Sequence, residues 1–379
     1  MKGRIRILQS VGSLGLGGNE IFVMNLFRNI DKSEFQVDFV VFDDKRLDFY
    51  EEILASGSKV YFCTSRSNNK LICLLEQIKA VKKILSENDY DIIHCHSCSL
   101  AGLFRSAIPG FLYSKTKVIT HSHNPGLPKN TFLDKCSRFV LKVILSKIID
   151  YGFSCSDVAG ESKYTKNFIK SNKYYLINNA INIDNYIFDN NIRERTRQLL
   201  GIEEHEFVIG HIGRFEYQKN HGFLVDIFEK IAGLNPDSKL LLVGDGSLFN
   251  NIKEKIRKLS LDKKVIFTGQ QESAENYYQA MDCFVLPSYY EGFPFVLVEA
   301  QINGLRAVIS DTISKSVNIA NGIKFCSLNQ NPNVWANIVI KFGNQRMGDE
   351  QVKIVCDLYD LKKEIHRIEG LYKKCIRNL

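Results

Sequence analysis

The stretch PSYYEGFPFVLVEAQINGL, residues 287–305, joins a short apolar run at 283–286 to a segment with helical spacing. Proline is favoured in the first turn of a helix, so a helix is expected to begin near Pro294. Glu291 then stands just ahead of that helix, and Glu299 lies about one turn inside it. Such a turn brings Gly292, Phe293 and the first helical amides to an anion, with a carboxylate on each side for the hydroxyls of sugars. Two glutamates at this separation are equally compatible with unrelated surface charges. The surrounding pattern has to decide.

Outward from this stretch, short apolar runs alternate with amphipathic segments. Strands are expected at 207–211, 239–243, 264–267, 283–286 and 307–310, with helices such as 248–259 between them. The first half repeats the alternation with strands at 5–8, 35–42, 59–62, 91–95, 117–120, 150–154 and 173–177, and helices such as 20–30 and 71–85. This is the signature of βαβ units on parallel sheets. A polar stretch at 189–206 separates the halves, and 379 residues exceed one hydrophobic core. The expected fold is α/β, two doubly wound domains facing a cleft. The first spans 1–185 and the second 186–360, and a terminal helical pattern at about 361–379 is expected to pack back on the first. No repeat is visible at the residue level.

Composition sets limits on function. Hydrophobic residues make up 45% and charged residues 24%, as in a soluble globular chain. No apolar stretch reaches the roughly 18 residues of a membrane span. MKGR at the amino terminus leads straight into a strand-like run without the apolar core or cleavage site of a secretory signal, which predicts a cytoplasmic protein. The ten cysteines follow no framework, as expected of reduced thiols. A net charge of +8 suits anionic ligands, an anionic membrane or nucleic acid, and by itself chooses none.

In open parallel sheets ligands sit beyond the carboxyl ends of the strands, so the loops there carry the candidate site. After the first strand comes GSLGLGGNE, residues 12–20, whose glycines allow a ligand close to the main chain. A dinucleotide fingerprint would need a third glycine where Glu20 stands, which disfavours a nicotinamide enzyme. After the first strand of the second half comes GRFEYQKN, residues 213–220, where Arg214 and Lys219 pair a fork donor with a point cation, a combination suited to a diphosphate. VGDGSL at 243–248 again places Gly-x-Gly between a strand and a helix. Asp89-Tyr90-Asp91 has the form of a metal motif but directly precedes a strand, and reads as a turn. HCHSC at 94–98 and HSHN at 121–124 gather histidines at two strand ends. Zinc would require ligands crowded into one strand end, unlike the separated pairs of structural sites.

Taken in order, Gly17-Gly18-x-Glu20, Gly213-Arg214 with Lys219-Asn220, Gly244-x-Gly246 and Glu291-x7-Glu299 resemble the retaining glycosyltransferases of family 4, which have the GT-B fold of two Rossmann-like domains. VISDTISK at 308–315 is similar to the members that build capsule and exopolysaccharide. The resemblance implies a nucleotide-sugar donor, most often a UDP-sugar, held mainly by the second domain. It implies that Arg214 and Lys219 bind the diphosphate, that Gly292 and Phe293 assist through their amides, that Glu299 takes the ribose and that Glu291 contacts the sugar. Gly17 and Gly18 would close over the phosphates. His121 resembles the histidine that approaches the donor sugar, and His123 and Asn124 would line the acceptor side; a strand-end histidine bound to a backbone carbonyl is the plainer alternative. No metal, other cofactor or nucleic acid is implied. Where the family usually has Asn-Gly-(Val/Ile)-Asp between its domains, this chain has Asn179-Ala180-Ile181-Asn182.

Between 131 and 149, Lys135, Arg138 and Lys142 recur at helical spacing beside Phe139, Val140, Val143 and Ile144. A basic amphipathic helix of this kind can lie on an anionic membrane, and an ordinary helix packed on the sheet has the same pattern. The resemblance adds a saccharide or polyprenyl-diphosphate-linked acceptor and attachment at the inner face of a bacterial membrane. A sugar-nucleotide epimerase of the same fold and a pure binding protein are the alternatives from other classes.

Overall fold

The computed structural model describes residues 3–15, 17–45, 47–113, 115–124, 132–271, 273–291 and 293–377, without the side chains of 132–135. Contacts divide the chain into two compact units. One runs up to Ile181 and resumes at Leu361, and the other is Asn182–Asp360.

The first unit is a seven-stranded parallel sheet of β1 (Ile5–Val11), β2 (Phe35–Val41), β3 (Val60–Phe62), β4 (Ile92–Ser97), β5 (Lys117–Ser122), β6 (Tyr151–Ser154) and β7 (Tyr174–Leu176), in the order β3-β2-β1-β4-β5-β6-β7. The second is a six-stranded parallel sheet of β8 (Phe207–Ile212), β9 (Ser238–Val243), β10 (Val265–Gly269), β11 (Cys283–Leu286), β12 (Arg306–Ser310) and β13 (Ile323–Cys326), in the order β10-β9-β8-β11-β12-β13. Strands buried on both faces need continuous apolar runs, which is why IRILQSV, FQVDFVV and SKLLLV read so clearly.

Each sheet reverses its direction of winding once, between β1 and β4 and between β8 and β11. The loops that leave neighbouring strands at such a point diverge and open a crevice at their carboxyl ends. In the second unit these are the loops that begin at Gly213 and at Pro287.

β5 extends through Ser122 and β4 through Ser97, two residues beyond expectation in each case. His96 and His121 consequently lie inside strands, as expected of His94. β13 adds to the expected strands. Its four residues form an edge strand with Lys324 exposed, too short to show a period. The Asp91 carboxylate accepts a hydrogen bond from the Arg6 amide at 2.8 Å, so Asp89-Tyr90-Asp91 is a strand start.

The terminal helix, Leu361–Arg377, packs on the first sheet. Ile365, Ile368, Tyr372 and Cys375 join the core built by Ile7, Phe35 and Phe153, and burying an isoleucine stabilises by roughly 1.5–3 kcal/mol. Glu364 and Glu369 pin it by accepting from the amides of Asn178 and Asp31, both at 2.8 Å. All ten cysteines are free thiols. Among the described residues no helix is long and apolar enough to cross a membrane.

Candidate active site

The crevice of the second unit is built by three loops. β8 ends at Ile212, and the chain crosses Gly213, Arg214 and a single 3-10 turn, Tyr217–Lys219. Asn220 then takes a left-handed φ of 54°, which asparagine tolerates better than most residues, and starts the helix His221–Leu234. The loop after β9 lies against this one: the Phe215 amide donates to the Asp245 carbonyl at 2.9 Å and the Leu248 amide to the Phe215 carbonyl at 2.8 Å. The approach is so close that a Cβ on Gly244 would stand 2.2 Å from the Gly213 carbonyl oxygen, and one on Gly246 would stand 2.7 Å from the Phe215 backbone. Gly-x-Gly at 244–246 therefore has a packing reason that its sequence form does not reveal.

Beside these loops lies a cavity of about 520 Å³, lined by Gly213, Arg214, Gly244, Gly246, Gln270 and Gln271 at the carboxyl ends of β8, β9 and β10. Arg214 is exposed, and its guanidinium makes no hydrogen bond or ion pair among the described residues. Lys219 is differently placed. Its ammonium lies 2.8 Å from a carboxylate oxygen of Glu291, and the Gln218 amide donates to the other oxygen at 3.0 Å. Glu291 and Lys219, expected to meet different parts of a ligand, hold each other across the β8/β11 crevice.

The helix expected near Pro294 runs Phe295–Ile302, with Pro294 as its cap. Glu299 points back toward its neighbours: the Tyr278 hydroxyl donates to it at 2.5 Å. Burial pushes its carboxyl up to about 6, the hydroxyls of Tyr278 and Tyr186 pull it back, and the charge of Glu275 adds to the rise. The Phe293 ring packs on Phe295 and Tyr359 and holds the loop by its side chain. Gly292 lies outside the described residues. The sequence offers no sign of Tyr186 and Tyr278, far from Glu299 along the chain, whereas Gln218 sits beside Lys219 in the same motif.

In the first unit Gly17 caps the helix Gly18–Asn29. The Glu20 carboxylate folds back over Gly17 and accepts from the Ser13 hydroxyl at 3.1 Å. His121 and His123 project from the sheet face that carries His94 and His96. His121 is fully buried, edge-on to Phe22 and stacked beside His123 at 4.1 Å between centroids. His123 is the outer ring of the pair and retains a little exposure. Its carbonyl accepts from the Cys155 thiol at 3.1 Å, and the next carbonyl, that of Asn124, accepts from the Lys163 ammonium at 3.1 Å. Burial drives all four imidazoles well down, His123 to about 3, so that they are neutral at physiological pH. Ring nitrogens of His94, His96 and His121 come within 4.8 Å of one another. Both nitrogens of His96 are already engaged, by Gln9 and by His123.

Two family models divide the chain between them: Glycosyltransferase Family 4 matches residues 16–185, and Glycosyl transferases group 1 matches residues 192–353. The chain is built of glycosyltransferase domains of these two families. It is 28% identical over 339 residues to the putative glycosyltransferase EpsF of Bacillus subtilis, covering 89% of this chain and 87% of that one. It is 24% identical over 303 residues to the UDP-Gal:alpha-D-GlcNAc-diphosphoundecaprenol alpha-1,3-galactosyltransferase of Escherichia coli, covering 78% and 76%. Among solved structures it superposes on Anabaena HepE in complex with UDP with a TM-score of 0.76 at 18% identity, over 98% and 100% of the two chains. The glycosyltransferase thus has the GT-B fold, and the epimerase alternative is not favoured. In these terms the two units are the two Rossmann-like domains of that fold.

Proposed function

We propose that the protein transfers a sugar, with retention of anomeric configuration, from a UDP-sugar to a saccharide carried on a polyprenyl diphosphate during synthesis of a bacterial surface polysaccharide. One observation carries the donor half of this reading. An exposed guanidinium with no hydrogen bond or ion pair among the described residues borders a cavity at the carboxyl ends of three strands, next to an ammonium held on a carboxylate.

Arg214 and Lys219 bind the diphosphate, and the diphosphate competes with Glu291 for Lys219. The amides that follow Glu291, those of Gly292 and Phe293, add to the grip. Glu291, once released, accepts from hydroxyls of the donor sugar, and Glu299 accepts from those of the ribose. Breaking the bond from the anomeric carbon to the diphosphate builds negative charge on the departing UDP, so fixed cations stabilise the transition state more than the ground state. The work that a divalent cation does elsewhere falls to the basic pair, and the reaction requires no metal. For retention the acceptor hydroxyl must meet the face that the leaving group vacates, which makes orientation a large part of catalysis. The first unit's contributions are Gly17 and Gly18 for close backbone approach of an anion, His123 and Asn124 on the acceptor side, and His121, expected at the donor sugar, acting from behind His123.

The UDP complex and the UDP-glucose complex of HepE support a uridine donor, and the Escherichia coli relative supports a lipid-linked acceptor. The helix Phe132–Ile148 supports work at a membrane surface: Phe139, Val140 and Ile144 face outward while Lys142 turns to the Glu161 carbonyl. An ordinary packed helix would turn its polar face outward. The test is incubation with a panel of nucleotide sugars, with nucleotide release measured with and without a polyprenyl-diphosphate saccharide. Acceptor-dependent release of UDP and an unchanged anomeric configuration in the product are expected. Absence of release from every nucleotide sugar would overturn the reading.

A further inference from the structure

Four buried side chains of the first unit form one continuous line of hydrogen bonds that ends at His123. The Gln9 amide, in β1, donates to the Tyr372 hydroxyl of the terminal helix at 3.4 Å. The Gln9 carbonyl faces His96 Nε2 at 2.8 Å. His96 Nδ1 faces His123 Nε2 at 2.9 Å, and the Tyr372 hydroxyl faces His94 Nδ1 at 2.7 Å. Gln9, His94, His96 and Tyr372 are each at most 3% exposed, so no water competes for these partners.

The directions of the bonds follow from two facts: the Gln9 amide turns its nitrogen to Tyr372 and its oxygen to His96, and a carbonyl oxygen only accepts. Since the Gln9 oxygen accepts, His96 carries its proton on Nε2. The neutral ring then has a lone pair on Nδ1 and can only accept there. His123 must donate to it, which puts the His123 proton on Nε2 and leaves Nδ1 bare. In the other direction Tyr372 accepts from Gln9 and donates to His94. Every member of the line agrees with its neighbours.

We infer that Tyr372, Gln9 and His96 are a tautomer lock that presents His123 to the acceptor as a hydrogen-bond acceptor at Nδ1. That nitrogen makes no hydrogen bond among the described residues. A sugar hydroxyl that donates to it keeps both oxygen lone pairs free for bond formation, whereas an Nδ1–H would have to take one of those lone pairs. In the other tautomer His123 would therefore work against the transfer. Which nitrogen of an imidazole is available is set by the bond that the other nitrogen makes. Here the lock reaches back to the last helix of the chain, which gives its return to the first unit a chemical purpose beyond packing. Gln9, His96 and Tyr372 are positioning residues. The assignment of His123 to the acceptor rests on the proposed transferase reading; the tautomer does not.

The neutrality of the rings supports the lock, since a protonated imidazole has no lone pair to pass along. His94, His121 and His123 face His96 and lower its basicity further once burial has done so.

The test is long-range nitrogen–proton NMR of the imidazoles in the full-length, histidine-labelled protein near neutral pH. His96 and His123 are both expected as Nε2–H forms. A His123 resonance pattern with the proton on Nδ1 would overturn the inference, whatever the activity. Gln9→Leu is expected to turn both rings into tautomer mixtures and to raise the KM for acceptor about tenfold, the equivalent of one lost hydrogen bond. Circular dichroism and a thermal melt that match the wild type, measured in the same preparation, check that the first unit, which holds Gln9, is folded. An unchanged acceptor KM in a folded Gln9→Leu with mixed tautomers would overturn the role given to the lock. Absence of sugar transfer by the wild type, with the expected tautomers present, would count against the proposed function and leave the lock standing.

Discussion

Lys219 Nζ lies 2.8 Å from Glu291 Oε1, and the two side chains, 16% and 6% exposed, tie the loop after β8 to the loop after β11. These strands are neighbours at the point where the sheet changes direction, so the pair spans the crevice. An ion pair this shielded costs most when one half is removed, because the other charge stays buried. Lys219→Met is expected to destabilise the protein by about 1–3 kcal/mol, with Gln218 alone among the described residues left to satisfy the carboxylate. Adding Glu291→Gln should restore part of that loss. Urea unfolding of the two single variants and the double variant measures the coupling, and strictly additive effects would contradict it.

Arg214 has the opposite signature. It is exposed and makes no hydrogen bond or ion pair among the described residues, so Arg214→Ala should change stability by no more than about 0.5 kcal/mol. Removing a fixed donor to a developing anion typically lowers turnover by roughly 100- to 1,000-fold. Thermal unfolding beside nucleotide-release assays separates the two effects. Arg214→Lys should recover little, since a point charge cannot reproduce a bidentate fork.

Glu299 gives the site a pH dependence. Burial raises its carboxyl to about 6, from an ordinary 4.5. A raised carboxylate pKa means that the fold favours the protonated form. The stability it contributes is complete below about 4.5 and is lost as pH rises through about 6. Binding of a uridine diphosphate sugar needs the ionised form as hydroxyl acceptor, so affinity should rise between pH 5 and 7 with a midpoint near 6. Tyr278→Phe removes a hydrogen bond that holds the value down and should move the midpoint upward. Calorimetric titrations across this range provide the check.

Gly246→Ala would press a methyl group to within 2.7 Å of the Phe215 backbone. Overpacking against main chain that cannot yield costs about 1–3 kcal/mol. Because the clash displaces the segment beside Arg214, donor affinity should fall along with stability. Gly222→Ala, whose new Cβ would meet nothing within 4 Å, serves as the control.

The outward face of the helix Phe132–Ile148 can be examined by flotation with liposomes. The wild type is expected to float with anionic vesicles and less with neutral ones. Phe139→Ser with Ile144→Ser should weaken binding without unfolding the protein, since Phe139 is 64% exposed and Ile144 43% exposed. No flotation of the wild type with either vesicle would remove the membrane from the proposed function.

Several of these residues are legible in the sequence. Arg214, Lys219 and Glu291 belong to loops that leave recognisable strands, and a doubly wound sheet gathers such loops at one end. Tyr278, which holds Glu299, and Gln9 and Tyr372, which hold His96 and His94, are not legible there. Each acts through a partner 21 or more residues away, and nothing in its own neighbourhood distinguishes it. His121 shows the same limit in another form. The motif places it at a strand end, but whether β5 stops before it or carries it inward depends on pairing with His96 in β4.

By itself the amino-acid sequence determined the two parallel sheets, the order of their strands along the chain and the loops that would carry charge, because hydrophobic period and glycine placement are local properties written residue by residue. Only the tertiary structure decided that Lys219 rests on Glu291 while Arg214 is exposed at the cavity, that His121 is sealed behind His123, and that the helix Leu361–Arg377 reaches Gln9 and His94. Those outcomes turn on which side chains share a few ångströms of space, and distance along a chain does not record distance across a fold.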